Sequence, residues 1–362
     1  EGPRLPELGL PPLALQLRFG AVLGRGASGA TVVRCFAAPA VSPTVREGAD
    51  GASPSSSAAA NRADEAPCAA KVLALSGGTF SDMVEEFGQE IELMRGLRHP
   101  GLVGFVGAGR IAAPPELGPW PGVAPGDSVD AYVLCVELCD FALDSVLRQR
   151  RAESRPFAAN ELGPLLAQVA SGLQYLHEKR VLHRDIKAAN VFLKRRGDSG
   201  TRSGAGSGAE QDLPGVVPEA EPLCSASNLT GFFGKLGDFG GCKMASRAQT
   251  PVQTPQWMAP EAMRQEGYGP PADIWGLGML IYELIEMGPP FGEDITMPSL
   301  EAELSAGRAP ALSDPEGAQA RLPGILEIMG QCLTADASMR PTAAEVVKAL
   351  GVAGWHAPEV AC

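Results

Sequence analysis

Two short strings in this chain place chemically useful residues at fixed spacing. Gly24-Arg-Gly26-Ala-Ser-Gly29 is a glycine-rich loop, and glycines let a backbone turn tightly and bring its amides against phosphate oxygens. Alone the string means little. Glycine supplies 44 of the 362 residues, and three fixed glycines recur by chance about 0.6 times in a chain of that composition. The residues after the loop decide its use. A dinucleotide-binding loop opens a helix and meets an acidic residue about 20 positions later. Here Ala30-Thr-Val-Val-Arg-Cys35 is β-branched and strand-like, so a hairpin folded over a ligand is expected. The second string, His183-Arg-Asp185-Ile-Lys187-Ala-Ala-Asn190, is far more specific. Its fixed His, Arg, Asp and Asn meet by chance on the order of once in several hundred chains of this length, and Lys187 tightens the match.

Further strings occur in a fixed order: Cys68-Ala-Ala-Lys71, Glu90 within a helical pattern, Asp238-Phe-Gly240, Ala259-Pro-Glu261, Asp273-Ile-Trp-Gly276 and Arg340-Pro-Thr342. Together with the histidine-led string they resemble the eukaryotic protein kinase domain of the serine/threonine type, over about residues 19–350. Trp257 to Glu261 and Cys332-Leu333 resemble its tyrosine-kinase-like group.

That resemblance implies ATP and Mg2+ as cofactors and a chemistry of positioning and charge neutralisation. Asp185 is implied as catalytic base and Lys187 as the partner of the γ-phosphate. Lys71, held by Glu90, is implied to grip the α- and β-phosphates. Asp238 and Asn190 are the implied metal ligands, and magnesium takes hard oxygen donors. Leu23, Gly24, Gly26, Gly29, Thr31, Ala69, Glu137, Cys139 and Phe192 complete the implied nucleotide site, with Ala69 and Phe192 about the base. An aspartate near its reference pKa of about 3.9 is a weak base, so Asp185 is expected mainly to orient a hydroxyl. Thr254 is implied to bond Asp185 and Lys187. Glu261 with Arg340 is implied as a buried ion pair, and Asp273 as the anchor of the catalytic-loop backbone. Met94, Phe105, His183 and Phe239 match the family's apolar column. Three departures stand out: Ser28 in place of an aromatic, Thr31 in place of the valine over the adenine, and Gln253 in place of a glycine. Ser246 and Thr250 are candidate phosphorylation sites.

These residues need elements to hold them. Residues 19–35, 68–75 and 131–138 read as strands and residues 81–97 as a helix. From about residue 143 helical spacing dominates, as in Leu162, Leu165, Leu166, Val169, Leu173 and Leu176. The expected fold class is α+β: a bilobal, protein-kinase-like fold with a small antiparallel sheet plus a helix, then a larger, mainly helical lobe. The expected boundaries are an N-terminal extension at 1–18, an N-terminal lobe at 19–139, a C-terminal lobe at 140–350 and a tail at 351–362. Insertions rich in Gly, Pro, Ala or Ser are expected at 37–66, 109–130 and 195–228, where surface loops lengthen at little thermodynamic cost.

Composition bounds the partners. The net charge of −12 argues against a general nucleic-acid binder. No apolar run is long enough to span a membrane, and the first twelve residues lack the form of a secretory signal. A chain opening on Glu1 reads as part of a longer one. The eight cysteines have no zinc or redox spacing, so reduced, mostly buried thiols and a cytoplasmic setting are expected. Protein substrates bearing Ser or Thr are the implied partners; no oligomeric state follows. The main alternative is a kinase-shaped scaffold that binds nucleotide or partners without turnover. A nucleotide-dependent dehydrogenase is a distant third.

Overall fold

The computed structural model describes residues 8–25, 30–39, 66–76, 81–120, 123–124, 126–196, 228–244 and 254–356. The chain divides into two compact units, residues 1–97 with 104–138, and residues 98–103 with 139–362.

The first unit is a five-stranded antiparallel sheet. Its strands are β1 (Leu15–Arg25), β2 (Thr31–Pro39), β3 (Ala66–Ala74), β4 (Phe105–Ala113) and β5 (Val129–Glu137), in the order β1-β2-β3-β5-β4. Side chains alternate across a strand, and one face is buried and, Thr31 apart, apolar. Val33, Cys35, Cys68, Ala70, Val72, Ala131, Val133 and Cys135 are buried there, covered by Leu117 and Trp120 from the β4–β5 connection. The unit's helix, α1 (Ser81–Gly96), buries Val84, Phe87, Glu90, Ile91 and Met94. These positions share one helical face, so the buried Glu90 sits on a stripe that is otherwise apolar.

Three expected boundaries are corrected here. Residues 109–113 belong to β4 and residues 129–130 to β5, so the insertion between them is shorter than 109–130. Gly109 is not a loop glycine. A Cβ on it would lie 2.6 Å from Leu13 Cα, so only glycine admits the N-terminal segment that runs beside β4. Leu13 N donates to Arg110 O at 3.1 Å and Arg110 N to Pro11 O at 3.0 Å. Residues 1–18 are therefore not all extension, since 15–18 open β1. The 37–66 insertion is likewise narrower, because Ala37 pairs with Ala66 and prolongs the β2–β3 ladder.

The second unit is mainly helical. In chain order it contains β6 (Phe141–Ala142), α2 (Leu143–Ala152), α3 (Ala159–Glu178), β7 (Val181–Leu182), β8 (Val191–Arg195), β9 (Phe232–Leu236) and β10 (Lys243–Met244). The helices α4 (Pro260–Met263), α5 (Pro270–Glu286), α6 (Met297–Ser305), α7 (Pro315–Arg321), α8 (Pro323–Cys332) and α9 (Ala343–Val352) complete it. The leucine stripe of α3 is buried as its spacing requires. The central α5 is buried on every side from Ala272 to Ile285, the pattern of a helix inside a core. The 195–228 insertion is also trimmed at both ends. Arg195 pairs with Phe232 in the β8–β9 ladder, and Asn228 caps the turn Leu229–Gly231 by accepting from Thr230 N. Nor is 351–362 all tail, because Gly351 and Val352 finish α9 and Trp355 packs against Gly163.

Candidate active site

In the first unit β3 presents Lys71 and α1 presents Glu90. Lys71 Nζ lies 2.7 Å from Glu90 Oε2, with 17% and 5% side-chain exposure. That burial sets the pair apart from surface ion pairs, which contribute little. Ala69 shares the lysine's face of β3.

Thr31 does not share that face. It lies opposite Val72, whereas Val32 lies opposite Lys71, and directly opposed residues share one face of an antiparallel pair. The expectation for Thr31 is therefore corrected: it faces away from Lys71, and Val32 stands on the lysine's face in its place. Thr31 is fully buried on the apolar face, and its Oγ1 has no hydrogen-bond partner among the described residues. Gly24 lies opposite Val32, on the lysine's face, while Leu23 is 54% exposed. Gly26, Gly29, Ser28, Gln253, Ser246 and Thr250 lie outside the described residues. Glu137 ends β5, its N–H donating to Gly104 O at 2.8 Å and its Oε2 accepting from Gly104 N at 3.2 Å.

The second unit holds the densest polar cluster. β7 delivers the chain to His183, and Arg184 has a φ of 71°, a conformation that a non-glycine residue adopts only when surroundings enforce it. The enforcement comes from Asp273 in α5. Its Oδ2 accepts from His183 N and its Oδ1 from Arg184 N, at 2.9 and 2.8 Å. His177 Nε2 reaches Oδ2 at 2.9 Å and Tyr268 OH donates to Oδ1 at 3.1 Å. Burial pushes the Asp273 carboxyl up, but His177, His183 and the Arg184 amide outweigh it and hold it below the ordinary range. His183 also meets Phe239 edge-on, with ring centroids 5.8 Å apart.

With the backbone fixed, Asp185 is ringed by donors. Lys187 Nζ is 2.7 Å from its Oδ2. Asn190 Nδ2 donates to the same oxygen at 2.8 Å and to the Asp185 backbone carbonyl at 2.7 Å. Thr254 Oγ1 donates to Oδ1 at 3.0 Å and accepts in turn from Lys187. Burial raises the Asp185 carboxyl, yet Lys187, Asn190 and Thr254 together depress it below the usual carboxylate range. Phe192 of β8 is half-buried and packs close to Gly237. A Cβ on Gly237 would lie 2.8 Å from both Phe192 Cε2 and Val103 Cγ2, so glycine is required just before the exposed Asp238. Cys139 is half-buried.

These catalytic-string positions, their order along the chain and the two-unit α+β architecture coincide with one family, whose model, the protein kinase domain, matches residues 48–350. The chain belongs to the protein kinase domain family. The matched region starts beyond β2, leaving the glycine-rich hairpin outside it. Among relatives, the chain is similar to the serine/threonine-protein kinase STE20 of Saccharomyces cerevisiae, 28% identical over 71% of this chain and 22% of that protein. It is also similar to the serine/threonine-protein kinase Nek11 of Mus musculus, 27% identical over 72% of this chain and 33% of that protein. STE20 of Candida glabrata is 32% identical over 52% of this chain and 17% of that protein. The match thus spans a third or less of each of these relatives. Among the described residues, no helix is long and apolar enough to cross a membrane.

Several contacts escaped the motif reading. Glu283 of α5 accepts at Oε2 from Ala188 N at 2.9 Å and Trp257 Nε1 at 3.1 Å, tying the catalytic string to the segment ahead of α4. Burial raises its carboxyl to about 7 despite both bonds. A glutamate within the otherwise apolar run from Ile274 to Ile285 was the available signal. Tyr268 carries none, since its partners Asp273 and the Arg184 guanidinium, 5.5 Å from its ring, meet it only in three dimensions.

Proposed function

We propose that this domain is an ATP-dependent protein serine/threonine kinase. The observation that carries the reading is the Asp185 carboxylate, held by Lys187, Asn190 and Thr254 and kept ionised by them. Such a carboxylate is too weak a base to strip a hydroxyl early. It orients a Ser or Thr hydroxyl by accepting its hydrogen bond and takes the proton late.

The donor set fits magnesium. Asn190 directs its amide nitrogen to Asp185, which leaves its side-chain carbonyl oxygen for a cation, and the exposed Asp238 adds a carboxylate; both are hard oxygen donors. Asn190 and Asp238 would hold the ion, and the bound ion would neutralise charge on the β- and γ-phosphates. Lys71, fixed by Glu90, would hold the α- and β-phosphates. Lys187 would meet the γ-phosphate, and Gly24, Gly26 and Gly29 would line the phosphates. Leu23, Val32, Ala69, Glu137, Cys139 and Phe192 would surround the base and ribose. The described cysteines are reduced thiols and not disulfides, which supports a cytoplasmic setting.

The test is transfer of labelled phosphate from ATP to generic Ser/Thr protein substrates, with Asp185→Asn as control and ATP-dependent thermal stabilisation measured in parallel. Transfer above the control supports the reading. Stabilisation by ATP with transfer no greater than the control would instead identify a nucleotide-binding scaffold.

A further inference from the structure

Away from the catalytic string, three cysteines converge in the first unit. Cys35 of β2, Cys68 of β3 and Cys135 of β5 have sulfur atoms all within 4.8 Å of one another. Cys35 Sγ and Cys68 Sγ are 3.0 Å apart, closer than sulfur–sulfur van der Waals contact. They are 0%, 1% and 0% exposed, in a cluster otherwise made of aliphatic and aromatic side chains.

Two chemistries suit such a cluster, and its surroundings and strand register separate them. A thiolate metal cage needs its ligands deprotonated and, for zinc, a fourth ligand. Among the described residues no His, Asp or Glu joins the three thiols. Interactions with Cys135 and Cys35 lower the Cys68 thiol against the opposing effect of burial. Cys35, although a bond from Cys135 lowers it, is pushed up to about 12 by its bond with Cys68 and by burial. Bonds to Cys35 and Cys68 push Cys135 up as well. Of the three, Cys68 is the thiol whose neighbours favour its deprotonated form, which makes it the nucleophile of the cluster.

The register favours one pair. Cys35 lies directly opposite Cys68, whereas Cys135 lies opposite Ala70. Directly opposed antiparallel residues have Cα atoms about 4.5 to 5.5 Å apart, inside the roughly 4.4 to 6.8 Å that a disulfide spans. The bond can form without moving the strands.

We propose that Cys35 and Cys68 are a redox-responsive pair that a hydroperoxide converts into a cross-strand disulfide, with Cys135 as the positioning thiol. The Cys68 thiolate attacks a peroxide oxygen; the O–O bond breaks, giving a Cys68 sulfenic acid and hydroxide. The Cys35 sulfur then attacks the Cys68 sulfur. An S–S bond forms, the S–O bond breaks, and the oxygen leaves as water with the Cys35 proton. The hydroxide takes up the proton that Cys68 had released. Two thiols are oxidised and one hydrogen peroxide is reduced to two waters. Entry requires transient opening of the Leu117–Trp120 cover, the kind of local fluctuation that admits a water-sized molecule. The disulfide ties the two ends of the long β2–β3 connection and locks the register that sets Val32 opposite Lys71.

The test treats the full chain, freshly reduced and freed of metal by chelator, with hydrogen peroxide, followed by differential alkylation and peptide mapping. The expected result is a chain lighter by two hydrogen atoms, a Cys35–Cys68 cross-linked peptide and full reversal by dithiothreitol. The half-buried Cys139 is the internal reference. If Cys139 is consumed while Cys35 and Cys68 stay alkylatable under mild denaturation, the proposal is overturned. A bond mapping to Cys135, or stoichiometric protection of all three thiols by Zn2+ or Cu+ alone, overturns it equally. Cys135→Ala should slow Cys68 sulfenylation and move its pH profile upward. An unchanged profile removes Cys135 from the mechanism, and the wild-type mapping needs no variant to fold.

Discussion

Replacing Asp273 by alanine would test how the catalytic string is held. The side chain is 1% exposed and accepts from four donors, two of them the backbone amides of His183 and Arg184. Alanine leaves those two amides buried without an acceptor. Each such loss destabilises by about 1–3 kcal/mol, so the pair sums to about 4 kcal/mol. His177 is 12% exposed at its side chain, so water can replace part of what it loses, and about 4 kcal/mol is the expected total. Against a whole-domain stability of about 5–15 kcal/mol, that is a large share. Asparagine should fall between, since its one carbonyl oxygen satisfies part of the set while its amide faces the remaining donors. The assay is urea unfolding of the full chain, read from the midpoint with an unchanged slope. Asp273 also carries a sign in pH. Its folded pKa is depressed, so its stabilisation is present above the unfolded carboxylate pKa and is lost as pH falls; the Asn variant should lack that acid-side loss. A loss below about 1 kcal/mol for Asp273→Ala, or an Asn variant as stable as wild type, would refute the anchoring argument.

Glu283 should give the opposite pH sign. Its carboxyl is raised from 4.5 to about 7, so the folded state binds the proton more tightly and the group's contribution is lost as pH climbs through that window. At about 1.36 kcal/mol per pKa unit, wild type should gain about 3 kcal/mol on Glu283→Gln between pH 8 and pH 4.5; parallel unfolding curves would count against it. Glu261→Ala should destabilise by about 3–5 kcal/mol, because it strips the anion from a buried guanidinium. Arg340 makes a two-pronged contact with Glu261 at 2.7 and 2.8 Å over the Trp275 ring. The double variant with Arg340→Met should recover part of that loss in a double-mutant cycle.

The legible part of this protein is the part written locally. The string from His183 to Asn190 fixes residue types over eight positions, and the contacts among Asp185, Lys187 and Asn190 lie within that span. The leucine spacing of α3 and the order of motifs point to the architecture for the same reason. Illegibility begins where pairing partners are distant. β4 reads Phe-Val-Gly-Ala-Gly-Arg-Ile-Ala-Ala, and its glycines look like loop residues until Leu13 is seen lying against Gly109. Counting from the glycines puts Thr31 over the adenine, but facing is set by register against β3, which no local count contains. Cys35, Cys68 and Cys135 are separated by long stretches of chain and meet only because three strands align.

The segment beside β4 has a bearing on where this domain begins. β4 is the last strand of its sheet, and an outermost strand offers unpaired backbone groups to any passing chain. Pro11 to Leu13 pair with that strand at Arg110. A protein trimmed to the family-matched residues, or to residue 19, would expose a ready template for intermolecular strand addition. Pro11 to Leu13, which look dispensable, are thus a built-in guard against self-association, and solubility after truncation should fail once they are removed and not only when the cut reaches Gly24.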